Sequence, residues 1–450
     1  MMQFPKWLLR AGMAAVAALA PTLAWAASTP PLIRDAEIES IIRGYATPIF
    51  EAAGIDPASV KLYIVNDDSI NAFVAGGMNM FIFTGLLMRT DRPNELIGVM
   101  AHETGHISGG HLVRTRDALR AATAESILAY ILGIGAAVAA GNSGAGVAVM
   151  GAGQTVAQQN LLKYTRTQEK SADHAGLGFL DATGQSAAGL LDVLELLRRN
   201  DVLTGAGGNP YLRTHPLTKE REDYIQRFVA QSPNSNATDT PAMMDSFKRM
   251  QAKLIGFLKP LEDTLRVYPE TDTSFAGRYA RSIAYFRIGQ LQKASELIDG
   301  LIAEEPQNAY LYELKGQMLF ENGRTMEAIE PYRQAVALKS DSSLLHLALG
   351  QVLVESGDPG LAKPAITELE TAVGLEPTLG QAWRLLSVAY DRDGQPAMTA
   401  LALAELALGR GRSEEARRHA EHAMQGLPTG SPAWLKAEDI VMQADLRSDD

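Results

Sequence analysis

The stretch Val99-Met100-Ala101-His102-Glu103-Thr104-Gly105-His106-Ile107-Ser108-Gly109 decides how the first half of this 450-residue chain is read. At its centre is H-E-x-x-H. Two histidines four apart on a helix lie one turn above each other, so both imidazoles can reach one metal ion while the glutamate stands beside it. A catalytic zinc takes three protein ligands and keeps a fourth position for water. Glu103 is placed to take a proton from that water and pass it to a leaving amine. Asp91 or Asn94 as cap, Pro93 in the first turn, and Leu96, Val99, Met100 and Ile107 at helical spacing predict the helix itself. Gly105, Gly109 and Gly110 each weaken a helix by about 1 kcal/mol relative to alanine. Their number predicts close packing around a site, or a helix end near Gly109.

The third ligand decides the class. A metzincin carries a histidine six residues after the second ligand, where this chain has Leu112. His111 is one residue early and reads as a packing or surface histidine. Downstream, Glu169 and Asp173 are four apart in Gln168-Glu169-Lys170-Ser171-Ala172-Asp173-His174-Ala175-Gly176. On a helix, Glu169 can complete the metal site while Asp173 hydrogen-bonds a ligand histidine from behind. Taken alone, the segment reads equally as an exposed acidic face.

Further motifs fall into order around these. Asn71-Ala72-Phe73 with Gly76-Gly77 and Thr84-Gly85-Leu86-Leu87 precedes the H-E-x-x-H helix. Tyr164-Thr165-Arg166 leads into Glu169, Ala172, Asp173 and Gly176, and His215-Pro216 is followed by Arg221. Over roughly residues 60 to 225 the chain resembles the zinc metallopeptidases of the HtpX and CAAX-prenyl-protease type, peptidase family M48. The resemblance implies His102, His106 and Glu169 as ligands of one Zn2+, Glu103 as general base, and Asp173 as a supporting or proton-handling carboxylate. It places His215 near the metal, stabilising an oxyanion or, in a latent state, filling the open zinc position. It makes Arg166 and Arg221 partners of the site carboxylates. The chain departs from the family pattern at Thr165, where serine is frequent, and at Ser171, where a second acidic residue is common.

Lys61 to Val65 and Met80 to Phe83 are β-prone, and Ala75-Gly76-Gly77 suits a turn or bulge between extended segments. An edge strand beside the metal would receive an extended substrate by strand addition, which favours unfolded polypeptide. Asn71 and Phe73 read equally as core or turn residues and as substrate contacts. Lys6 and Arg10 before an apolar run from Ala11 to Leu23, ending in Ala24-Trp25-Ala26, predict a cleavable secretory signal. The chain has no cysteine, so it has neither a disulfide framework nor a lipid-bearing cysteine. A second apolar region, Ile127 to Ala140 with a Gly-Ala-rich continuation to Gly153, is short of the roughly 20 residues a span needs. It reads as a helical hairpin or flap beside the site, with peripheral membrane contact. Its glycine pairs do not form a complete dinucleotide loop, and the formal charge of −11 offers no nucleic-acid footprint.

Beyond Phe228 the composition changes to Gln231-Ser232-Pro233-Asn234-Ser235-Asn236 and Thr238 to Pro241, a linker composition. Gly289, Gly323 and Gly357 then recur at 34-residue intervals, as do Ala294, Ala328 and Ala362. This is the tetratricopeptide period, with Pro306 and Pro377 at inter-repeat turns and Gly411 with Ala416 marking a further, drifted repeat. Four to six repeats are expected, forming a surface for peptides or proteins. His419 and His422, beside Arg417 and Arg418, read as a solvated face, and Trp383 and Trp434 as repeat core. The fold class is α+β, mainly α: a gluzincin-type metalloprotease domain with a small β-hairpin or sheet, followed by an α-solenoid. The boundaries are 1–26 signal peptide, 27–230 protease, 231–242 linker and 243–450 solenoid. Within the family, a secretory signal joined to such repeats implies a periplasmic zinc endopeptidase degrading stalled or misassembled outer-membrane β-barrel proteins. The same resemblance implies chaperone-like assistance to their assembly and contact with the barrel-assembly machinery through the repeats. The alternative is a mostly latent protease serving as a binding or chaperone module.

Overall fold

The computed structural model describes residues 32–111, 127–128, 166–204 and 210–448. The expected signal peptide, Tyr164 and Thr165, and all of the Gly-Ala-rich region except Ile127 and Leu128 lie outside them. Among the described residues no helix is long and apolar enough to cross a membrane.

Four strands, β1 (Leu32–Ile33), β2 (Lys61–Val65), β3 (Ala72–Ala75) and β4 (Asn79–Phe83), form one sheet in the order β1-β2-β4-β3. β2 runs parallel to β4, and β3 antiparallel to it with Phe73 opposite Phe81. Gly76 and Gly77 turn between β3 and β4 at φ 59° and 99°, a region that side chains disfavour. Alternation along the strands sends Ile64, Ala72, Val74, Met80 and Ile82 into the main core. Val65, Phe73, Ala75, Phe81 and Phe83 pack on the opposite face with Ile127 and Leu128. Both faces are covered, which explains why these strands read as unbroken apolar runs.

Helix α1 (Ala36–Ala52) starts at Asp35, whose carboxylate accepts from the Ile38 amide at 2.9 Å. A short α2 (Thr84–Arg89) leads to α3 (Pro93–Ser108), in which every residue from Pro93 to His106 is buried. The cap of α3 is Arg92, without a side-chain cap bond, and not Asp91 or Asn94. Asn94 is taken up elsewhere: its amide donates to Ser186 O at 2.8 Å and accepts from Gly189 N at 2.9 Å. The helix ends at Ser108 with Gly109 as its cap and Gly110 left-handed at φ 63°, as the glycine cluster predicted. Against it pack α4 (Arg166–Ala182) and α5 (Ala188–Thr204), and then come α6 (Pro210–Thr214) and α7 (Lys219–Gln231).

Residues 232–240 are turn and extended chain, and α8 (Pro241–Leu258) follows. Although α8 opens the region assigned to repeats, its Phe247, Met250 and Leu254 are buried in the same core as α1, α3 and the sheet. Its Ala252 lies in the next core, with Tyr279 and Ile283. The sequence marked the polar stretch as a break, but an amphipathic helix with two apolar faces joins the halves. After α9 (Leu261–Val267) the chain forms five helix pairs: α10 (Phe275–Arg287) with α11 (Leu291–Glu304), α12 (Ala309–Glu321) with α13 (Thr325–Leu338), α14 (Ser343–Glu355) with α15 (Ala362–Leu375), α16 (Gly380–Arg392) with α17 (Pro396–Gly409), and α18 (Ser413–Gly426) with α19 (Pro432–Ser448).

Gly289, Gly323 and Gly357 close the first helix of three pairs at φ 78°, 75° and 72°. In the fourth pair the same role falls to Gly394, displaced by the 3-10 turn Pro359–Leu361. The further repeat exists, but Gly411 lies between pairs and Gly430 sits inside the last one. Close packing within pairs needs small residues: a Cβ on Gly316 would meet the Tyr332 ring at 2.9 Å, and one on Gly350 the Leu369 side chain at 2.5 Å.

Candidate metal centre

Helix α3 delivers His102, Glu103 and His106; α4 delivers Glu169 and Asp173; His215 follows α6. All six are buried. The two elements can approach because glycine lines their crossing. A Cβ on Gly105 would stand 2.5 Å from the Ala172 carbonyl oxygen, and one on Gly176 2.9 Å from that of Ala101.

Four donor atoms converge. His102 Nε2 lies 3.2 Å from His106 Nε2 and 3.5 Å from Glu169 Oε2. Glu169 Oε1 lies 3.4 Å from His106 Nε2 and 3.2 Å from His215 Nδ1, which is 3.4 Å from His102 Nε2. A tetrahedral zinc with ligands at about 2.0–2.1 Å requires donor–donor edges of about 3.3–3.4 Å. The spacings here, 3.2–3.5 Å with Glu169 reached through one oxygen or the other, are compatible with that requirement. Charge agrees: Glu103, Glu169 and Asp173 are three buried carboxylates beside the buried guanidinium of Arg221, and with the metal-bound imidazoles neutral a divalent cation would bring their sum to neutrality. No second group of three or more such ligands occurs among the described residues.

The supporting contacts fix the rings. Asp173 Oδ1 stands 2.9 Å from His102 Nδ1, leaving Nε2 for the centre. Arg221 grips Asp173 through Nε and Nη2 at 2.7 and 2.8 Å and reaches Glu169 Oε2 through Nη1 at 2.6 Å. Arg166, expected as a second partner, is instead exposed at the start of α4. His111, read as packing or surface, is half-buried with Nδ1 3.0 Å from His106 Nδ1. A His106 that offers Nε2 to a metal carries its proton on Nδ1 and donates it to His111. That role was missed because nothing in the spacing separates a ligand from the group behind it. Phe73 is a core residue, stacked on Phe81 at 4.9 Å, and Asn71 is buried at the start of β3. His422 is exposed on α18 and His419 partly so.

Burial alone would raise Asp173, but hydrogen bonds from Arg221 and His102 hold it at about 2. Burial alone would lower His102, but Asp173 and Glu169 outweigh it and raise it to about 10. Glu169 is held far below the carboxylate range: burial opposes this, and the charge of His215 with the bond to His102 prevails. Glu103 differs. Burial pushes its carboxyl up, against the opposing pull of His215 and His102. One carboxylate is therefore fixed as an anion and its neighbour is poised to exchange a proton.

The model of peptidase family M48 matches residues 32–228, and a tetratricopeptide-repeat model matches residues 279–343. Among similar proteins is the beta-barrel assembly-enhancing protease of Yersinia pestis, 25% identical, the match covering 82% of this chain and 75% of that one. The protein of the same name from Escherichia coli (strain K12) is 24% identical over 73% of this chain and 67% of its own. A protease HtpX homolog of Methylibium petroleiphilum is 28% identical over 38% of this chain and 69% of its own.

Proposed function

We infer that this chain, which carries a family M48 metallopeptidase domain and tetratricopeptide repeats behind it, is a periplasmic zinc endopeptidase acting on unfolded or stalled outer-membrane β-barrel proteins. The observation that carries the catalytic part is the four-donor group with Glu103 beside it. His102, His106 and Glu169 would hold zinc, which when bound polarises the scissile carbonyl and acidifies the attacking water. Glu103 takes the proton from that water and returns it to the leaving nitrogen; its upward-shifted carboxyl suits both transfers. Asp173 keeps His102 in the tautomer that offers Nε2, and Arg221 keeps Asp173 and Glu169 ionised and in place.

The sheet supports a substrate class. β3 is an edge strand, it lies against α3, and the Val74 backbone faces the Glu103 carboxylate. An extended peptide pairing with β3 would run across the reacting carboxylate, which suits a chain not yet folded. The barrel-protein clients are carried over from the names of the relatives, and the periplasm from the signal-like first 26 residues. The repeats are the surface for the assembly machinery or its clients.

A second reading has its own support. His215 Nδ1 occupies the fourth corner while its Nε2 lies 3.6 Å from Glu103 Oε1. In this arrangement the imidazole stands where water and carbonyl must enter, so the resting state is latent and the chain acts as a binding module until His215 withdraws. Glu103→Gln should abolish cleavage of an unfolded barrel protein while bound zinc, measured by elemental analysis, is retained; undiminished turnover would sink the mechanism. His215→Ala should raise cleavage if the histidine holds the centre closed. A drop would assign it to oxyanion support instead.

A further inference from the structure

His215 is held by more than the donors it faces. Its ring lies nearly parallel to that of Tyr211, with centroids 4.5 Å apart at 21°. It stands steeply to His102 and His106, at 71° and 63°. The same tyrosine holds the backbone: Tyr211 O accepts the His215 amide at 2.8 Å and the Thr214 hydroxyl at 3.0 Å. On the other side, Pro216 O accepts from Arg221 Nη1 at 3.0 Å. Tyr211 is itself buried.

We propose that Tyr211 is a positioning residue for the fourth donor: its ring, laid flat on the His215 imidazole, keeps Nδ1 directed at Glu169 and His102. The inference rests on reading this group as a metal centre. A flat aromatic face permits the imidazole to slide only in its own plane, and the backbone bonds fix where that plane starts. Without the ring, rotation about the His215 side-chain torsions becomes free on one face, and the donor leaves the corner for part of the time. The phenol oxygen is not needed for this, so phenylalanine should substitute fully.

Cobalt(II) added to the metal-free full-length protein tests the proposal without reference to turnover, because the energies of its visible bands differ when an imidazole nitrogen or a water fills the fourth position. Tyr211→Leu should shift those bands toward the water-filled pattern and release cobalt to a chelator about tenfold faster, the lower end of the loss expected when a ligand's support is removed. Tyr211→Phe should keep the wild-type spectrum and release rate. His215→Ala should resemble Tyr211→Leu, and the double variant should be no worse than His215→Ala alone. Far-ultraviolet circular dichroism checks folding, and Tyr211→Met replaces the leucine variant if that one does not fold. A folded Tyr211→Leu or Tyr211→Met protein with wild-type bands and release overturns the proposal, as does a double variant clearly worse than His215→Ala. Unchanged cobalt bands in His102→Ala or His106→Ala overturn the underlying metal reading, and the proposal with it.

Discussion

Arg221 is the residue on which the centre depends most without donating to it. Its guanidinium is buried between Asp173 and Glu169 and bonds to both. Removing it leaves two carboxylates in a dry interior without their permanent cation, a change that costs about 3–5 kcal/mol in comparable buried pairs. Arg221→Leu should therefore lower the melting temperature of the chelator-treated protein sharply, and added zinc should restore part of the loss. A melt indistinguishable from wild type would contradict this. Arg221 also shows what the sequence can convey at this scale. His102, Glu103 and His106 are legible together because the chemistry lies within one helical turn. Arg221 and His215 are legible only through a resemblance, since nothing local links residue 215 to residue 102. His111 packs as read, but its partner His106 was not legible, because a histidine that orients another histidine has no spacing rule of its own.

Between elements, the crossing of α3 and α4 decides whether the ligands meet. Gly105 permits it, and a methyl there would lie 2.5 Å from a backbone oxygen that cannot rotate away. Gly105→Ala should cost about 1–3 kcal/mol by overpacking and carry Glu169 away from the histidine pair. The check is a paired measurement of denaturation midpoint and zinc content; a lower midpoint with full zinc would place the strain elsewhere. The glycine-rich composition of α3 thus has a cause that composition alone signalled as close packing, without naming the partner. The repeat elements were equally legible, since left-handed glycines at a fixed period leave few alternatives. The start of α3 was not: Asn94 has capping chemistry, yet its side chain is drawn to Ser186 and Gly189, partners distant in sequence.

At the scale of the molecule, the two halves meet around a buried lysine. Lys253 on α8 contacts Asp35 at 2.9 Å, Glu37 at 3.3 Å and Glu313 at 3.7 Å, while the Tyr279 hydroxyl donates to Glu37 at 2.7 Å. Burial raises the Glu313 carboxyl to about 7; Lys253 opposes this, and Asp35 and Glu37 add to it. The unfolded chain titrates that group near about 4.3, so the native state binds its proton more tightly. This contribution is present at low pH and is lost as pH rises through about 7. Glu313→Gln, which cannot ionise, should match wild type in melting temperature at about pH 4 and exceed it at about pH 8. Equal melts at both pH values would refute the assignment. Nothing in the sequence announced this joint: the polar stretch reads as a linker, and the lysine beyond it looks like any other on an amphipathic helix.

That joint also bears on the order of events during folding. Asp35 waits for Lys253, 218 residues later; Glu37 waits for Tyr279, 242 later; and Arg34 waits for Glu376, 342 later. Contacts of such separation form slowly and only after the intervening chain exists. The opening helix, which packs directly on the H-E-x-x-H helix, thus gains its last polar partners from the repeats.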